Sequence, residues 1–201
     1  MIWKPGVLPV EARWRRDGPD LPIDFARESD GGELATVICS TAPITRVMWS
    51  LMHGDSMACA RELLRQREKI PSSQPWSVGS VAQGTLDPQL PHARSIAAWA
   101  RAQGLDGVVW TALPPRFQGE NGRIPSIEEA LQYLQALPEQ RRRHAERYVC
   151  DTPRFVATAL RETLERQLGW APGPGAAPLL RARQGAPRPG TSRRRSPVAG
   201  A

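Results

Sequence analysis

The residue with most chemistry to offer is Glu68, in the run Leu63-Leu-Arg-Gln-Arg-Glu-Lys69 that ends just before Pro71. A carboxylate at the last turn of a helix, ahead of a strand, can face a cleft. Such a group can take a proton from an ammonium and return one to a leaving nitrogen, provided burial raises its pKa toward working pH. Spacing alone does not assign that role, because charged residues at helix ends are ordinarily solvated.

The other candidates lack a part. His53-Gly-Asp-Ser56 has the Gly-Asp-Ser of an esterase nucleophile block, but neither His92 nor His144 follows an aspartate at the Asp-x-x-His spacing. A serine without a positioned base is not activated, so Asp55 or Ser56 reads as a helix cap. Three scattered histidines and Cys39, Cys59 and Cys150 give no zinc-ligand spacing, and the thiols read as buried and unreactive in a reducing compartment. Gly31-Gly32 is not followed by a helix carrying Lys-Ser/Thr, so no phosphate-cradling loop is present. The tryptophans lie within apolar blocks and read as core.

Three strands precede Glu68. Leu21, Ile23 and Phe25 alternate along Leu21–Arg27, and Ser29–Gly32 forms a turn with two glycines free to take positive φ. Leu34–Ser40 and Ile44–Leu51 are rich in β-branched and aromatic residues, and Thr41-Ala-Pro43 is short enough to join them as an antiparallel pair. A helix then carries Met57, Ala60, Leu63, Leu64 and Arg67 on one side and stops at Pro71. Trp76–Val81 alternates as a further strand.

Beyond Pro91 the periodicity is mostly helical. Ala93–Gln103 ends at Gly104, a short strand lies within Leu105–Leu113, and Ser126 with Glu129 forms a capping box. Arg141–Cys150 is a helix, and Thr152-Pro153 caps and begins a last one reaching Gly169. Strands followed mainly by helices make an α+β domain. Residues 1–87 form the core, 88–170 a mainly helical extension packed on it, and 171–201 a disordered Pro/Gly/Arg tail.

Of the chain's 201 residues 40% are hydrophobic and 23% charged, and no apolar run is long enough to span a bilayer. The N-terminus lacks the pattern of a secretory signal, so the expected location is the cytoplasm. Six of the 27 Lys and Arg lie after Ala171, with none of the 20 acidic residues, so the net charge of +7 falls to about +1 in the body. Nucleic-acid association would rest on the tail alone, where clustered arginines can bind phosphates without sequence preference.

The ordered series Ile2-Trp-Lys-Pro5, Arg15-Arg16, Ser29-Asp30, Gly31-Gly32, Ala35-Thr-Val37, Val47-Met-Trp49 and Leu64-x-x-Arg67-Glu68-Lys69 resembles the γ-glutamylcyclotransferase superfamily. Its glutathione-specific, cation-transport-regulator-like branch is the nearer match. The resemblance covers roughly residues 2–81. It implies a small mixed β-barrel with flanking helices. It further implies a lyase that closes a γ-glutamyl group to 5-oxoproline, with Glu68 as general acid/base and Arg67 as its structural partner. The substrate is glutathione or another γ-glutamyl amine, and neither cofactor nor metal is required.

The sequence also departs from the family. The Tyr-Gly-Ser-Leu/Asn substrate loop would precede Ile2 and therefore lies upstream of Met1; Arg46 replaces a glycine; and Ile70-Pro-Ser replaces the Gly-Gly-Tyr that often follows Arg-Glu-Lys. Two accounts stand: a start codon placed too late, or a shortened, catalytically inactive copy. In the second, the chain serves as a binding or regulatory module, with the region after residue 88 as an interaction surface such as a homodimer contact.

Overall fold

The computed structural model of the chain describes residues 6–11, 13–82, 85–86 and 89–171, and the backbone of 196–200. It is an α+β structure with two open five-stranded sheets and five helices, and no helix among the described residues is long and apolar enough to cross a membrane. The expected barrel is not formed: among the described residues neither sheet closes on itself.

The first sheet is built on β1 (Asp20–Glu28), whose Leu21, Ile23 and Phe25 are buried as their alternation requires. β2 (Leu34–Ile38) runs antiparallel to residues 23–28 of β1, and β3 (Ile44–Arg46) antiparallel to residues 20–22. The pair joined through Thr41-Ala-Pro43 is therefore corrected, since both strands take β1 as partner. Expected as one strand with β3, β4 (Met48–Met52) belongs to the second sheet. Val47 is the break, because its N–H donates to Pro19 O at 3.1 Å and its carbonyl accepts from Gly18 N at 3.1 Å. A Cβ on Gly18 would lie 2.4 Å from that carbonyl oxygen, so only glycine admits the approach.

α1 (Met57–Arg67) follows, capped by Ser56, whose Oγ accepts from Cys59 N at 3.2 Å. β5 (Val78–Ala82) begins after a 3-10 turn at Pro75–Ser77, so Trp76 is not in the strand. β6 (Thr85–Leu86), α2 (Ala93–Ala102) and β7 (Gly107–Thr111) complete this half of the chain. β7 lies antiparallel to β5, and its alternation sends Val109 toward α1 and Val108 and Trp110 toward α2. Leu21 and Ile23 of β1 join the α2 cluster, which ties the two sheets into one body.

β8 (Arg116–Phe117) pairs parallel with β1 at Arg27 and turns through Gln118-Gly119, both at positive φ, into β9 (Glu120–Asn121). Two successive residues with φ above zero are the requirement of a tight two-residue hairpin turn. β7 joins β5 and β8 joins β1, so each sheet contains strands from both sides of residue 87. α3 (Ile127–Ala136) has the full Ser126–Glu129 capping box, and α4 (Glu139–Asp151) and α3 cover Phe25 and Phe117 of the first sheet.

α5 (Ala159–Leu168) starts at Thr158 rather than at Thr152-Pro153. The guanidinium of buried Arg161 donates to the carbonyls of Thr152 (2.9 Å), Pro153 (2.7 Å) and Val156 (3.2 Å), which holds residues 152–156 as a turn outside the helix. Of the tail expected to be disordered, 172–195 and Ala201 lie outside the described residues. Ser196–Gly200 instead form β10, antiparallel to β4 and parallel to β7.

Candidate active-site cleft

The end of α1 is set by its own backbone before Pro71 is reached. Lys69 takes a left-handed φ of 55°, its N–H donates to Gln66 O (3.1 Å), and Ile70 N–H donates to Arg65 O (3.0 Å). This pair of bonds satisfies carbonyls the helix would leave open, and Ile70 and Leu64 pack in the same core cluster, as such a stop requires. Glu68 is the cap residue itself, so its backbone is fixed from both sides.

Glu68 lines an open cleft of about 630 Å³. Its carboxylate, 21% exposed, is ion-paired with the more deeply set Arg67. Facing the α1 end are the end of β1 with its following turn, the first half of β2, and the segment after β7. A register shift at Ala26, one residue more on β1 than on β2, breaks the alternation of β1. Arg27, which would otherwise extend the buried row of Leu21, Ile23 and Phe25, lines the cleft instead.

Tyr148 reaches the same cleft from α4. Its hydroxyl accepts from Thr36 N–H at 3.1 Å and lies 3.3 Å from Thr36 Oγ1. Burial pushes the phenol's pKa up; the Thr36 bonds oppose this, and the carboxylates of Glu33 and Glu68 add to it. Tyr148 is therefore a neutral hydroxyl in the cleft wall. Glu28, also in the wall, accepts from Gln118 N–H (2.9 Å) and from the Tyr133 hydroxyl (3.3 Å), whose pKa burial and Glu28 raise to about 12.

The Ser29–Gly32 turn is narrower than two flexible glycines would make it. Gly32 uses its freedom, at φ +90°, whereas Gly31 takes no positive φ and sits against the ends of the Glu33 and His144 side chains. A Cβ there would lie 2.4 Å from Glu33 Oε2 and 2.9 Å from the His144 ring. Glu33 Oε2, sealed from solvent, is 3.2 Å from His144 Nε2, a pair that forms when the imidazole is protonated.

Glu68 is thus brought together with Arg27, Lys69, Trp76, Arg116 and Tyr148, none of which the sequence marks as a site residue. Trp76 is 65% exposed at the rim, an exception to the reading of the tryptophans as core. His53 and Asp55 are not gathered with a serine nucleophile; Ser56 is spent on its cap. The thiols are also corrected in part: Cys39 is buried, but Cys59 is exposed on the outer side of α1, away from Ala60 and Leu64. Cys150 is partly buried, which raises its pKa. Among the described residues no three His, Cys, Asp or Glu side chains are grouped to hold a metal ion. Compared with protein-family models, curated proteins and solved structures, the chain matches none.

Proposed function

We propose that the protein is a γ-glutamylcyclotransferase-like lyase that releases 5-oxoproline from glutathione or another γ-glutamyl amine, with Glu68 as its general acid/base. The observation that carries the reading is the position of Glu68 in a cleft large enough for a peptide-sized ligand, at the place the ordered sequence resemblance gives it. The family relation rests on those ordered residues and not on a closed barrel.

The chemistry needs one proton acceptor that becomes a donor. Glu68 takes a proton from the substrate's α-ammonium, and the neutral amine attacks the γ-carbonyl to close a five-membered ring. The carboxyl then delivers that proton to the amide nitrogen as the carbon–nitrogen bond breaks, and the proton the ring nitrogen still has to lose passes to the released amine, leaving neutral-lactam 5-oxoproline and an ammonium. Attack within one molecule is chiefly a matter of orientation, which a cleft supplies by holding the ligand folded. Arg67 fixes the Glu68 carboxylate, and the Tyr148 hydroxyl offers a neutral hydrogen-bonding group close by.

The test is 5-oxoproline release from glutathione by the full chain, with Glu68→Gln beside it. General acid–base groups contribute about 10²–10⁴-fold, so Gln should reduce turnover by at least about 100-fold while leaving substrate binding in place. Turnover that survives the substitution rules the mechanism out. Binding of γ-glutamyl compounds with no turnover in either form would identify the cleft as a ligand-binding module.

A further inference from the structure

We infer that Arg27 and Arg116 form an anion subsite that receives a carboxylate of the ligand in the Glu68 cleft. The two residues are direct partners in the parallel pairing of β1 with β8, and both side chains line the cleft. The Ala26 bulge turns Arg27 to this side, and the Gln118-Gly119 hairpin holds β8, and with it Arg116, beside β1.

Two guanidinium groups at neighbouring register positions repel unless an anion lies between or above them. Among the described residues none lies within ion-pair distance. Arg27 donates to Pro114 O at 2.7 Å, a neutral acceptor, and the Arg116 guanidinium has neither hydrogen bond nor ion pair among the described residues. The repulsion is felt, since burial first and then Arg116 lower the pKa of Arg27, with Asp30 opposing. Of the nearby carboxylates, Glu28 is engaged by Gln118 and Tyr133 and Glu68 by Arg67, while Glu33 faces His144 and Asp30 acts on Arg27 only from beyond ion-pair distance.

The same carboxylates choose among anions. Planar guanidinium forks match a carboxylate's two oxygens, and a monoanionic group offsets one of the pair's two positive charges. A phosphate dianion brings more negative charge toward Asp30, Glu33 and Glu68 in the same cleft. The subsite stands on register and pairing; that its occupant is a carboxylate of the γ-glutamyl substrate rests on the function proposed above.

Binding of glutarate to the full chain tests it without any turnover, with glutaramide as the uncharged isostere and inorganic phosphate as a competing anion. Glutarate should bind at least tenfold more tightly than glutaramide and should outcompete phosphate. Arg116→Ala should abolish the preference, and Arg116→Lys should restore part of it, with thermal melts confirming that each variant is folded. Equal glutarate affinity in Arg116→Ala and the parent chain overturns the inference, as does failure of the parent to prefer glutarate to glutaramide. Preference for phosphate overturns the carboxylate assignment. Arginine-dependent glutarate binding in a chain that neither binds nor cleaves γ-glutamyl compounds would instead refute the proposed function and leave the subsite standing.

Discussion

Replacing Arg161 with methionine should be among the most damaging single changes in the helical half of the protein. The side chain is 3% exposed, and its guanidinium donates to three backbone carbonyls of residues 152–156 as well as to Glu165 Oε1 at 3.0 Å. A hydrogen bond from a charged donor is worth about 1.5–3 kcal/mol. Thr152 and Val156 are buried, so their carbonyls regain little from water, whereas Glu165 is 37% exposed and loses little. Methionine fills the space but offers no donor, and the expected loss is about 3–5 kcal/mol, the range for removing one side of a buried charged network. Against a total stability of about 5–15 kcal/mol, that should lower the urea midpoint by at least about 1 M at the usual slopes. Arg161→Lys should fall between, because an ammonium reaches fewer carbonyls. A methionine variant within about 1 kcal/mol of the parent, at an unchanged slope, would refute the claim that Arg161 organises this turn.

Asp24 predicts a pH effect of defined sign. Burial raises its pKa above 3.8 despite hydrogen bonds from Thr158 and from Phe25 N–H, so the folded chain holds that proton better than the unfolded one. Its ionised form therefore costs stability above the folded pKa, and the cost fades as pH falls toward 3.8. Asp24→Asn should melt at least as high as the parent at pH 7, with the advantage shrinking in acid; a deficit constant with pH would contradict this. Deleting Ser196–Ala201 removes β10 and opens the facing edges of β4 and β7. Lower melting temperature and faster exchange of the Met48–Met52 amides are expected, and unchanged protection would show that β10 does not hold that sheet.

What could be read from the chain was what neighbouring residues decide. The alternation of Leu21, Ile23 and Phe25, the stripe of Ala60 and Leu64, and the Ser126–Glu129 box each carry their cause within a few positions, and each appears in the structure. Pairing choices do not. β2 and β3 look like hairpin partners until β1 is seen to offer both a longer line of hydrogen-bonding groups. The stop of α1 was placed near its true end for an incomplete reason: Pro71 follows, but the helix is closed by Lys69 in a conformation that glycine usually announces. The start of α5 lies beyond what Thr152-Pro153 signals, because a residue inside the helix, Arg161, draws the carbonyls of the preceding turn away from helical geometry.

The cleft divides along the same line. Its Glu68 wall is local, a carboxylate at the last turn of an amphipathic helix, and so it was legible. Its Arg27–Arg116 wall exists only because one extra residue at Ala26 reverses the facing of β1 and because a two-residue strand pairs with a strand far earlier in the chain. A strand that short has no periodicity, and Gln118-Gly119 is a weaker hairpin signal than Asn-Gly. The consequence reaches beyond prediction. A reading from motif alone finds the proposed proton-transfer group and leaves the ligand's charge unspecified; the long-range pairing supplies two neighbouring cations, and with them a preference that can be measured. The proposed catalytic role of Glu68 and the proposed anion subsite at Arg116 are therefore separable, and substitutions at the two positions should fail in different assays.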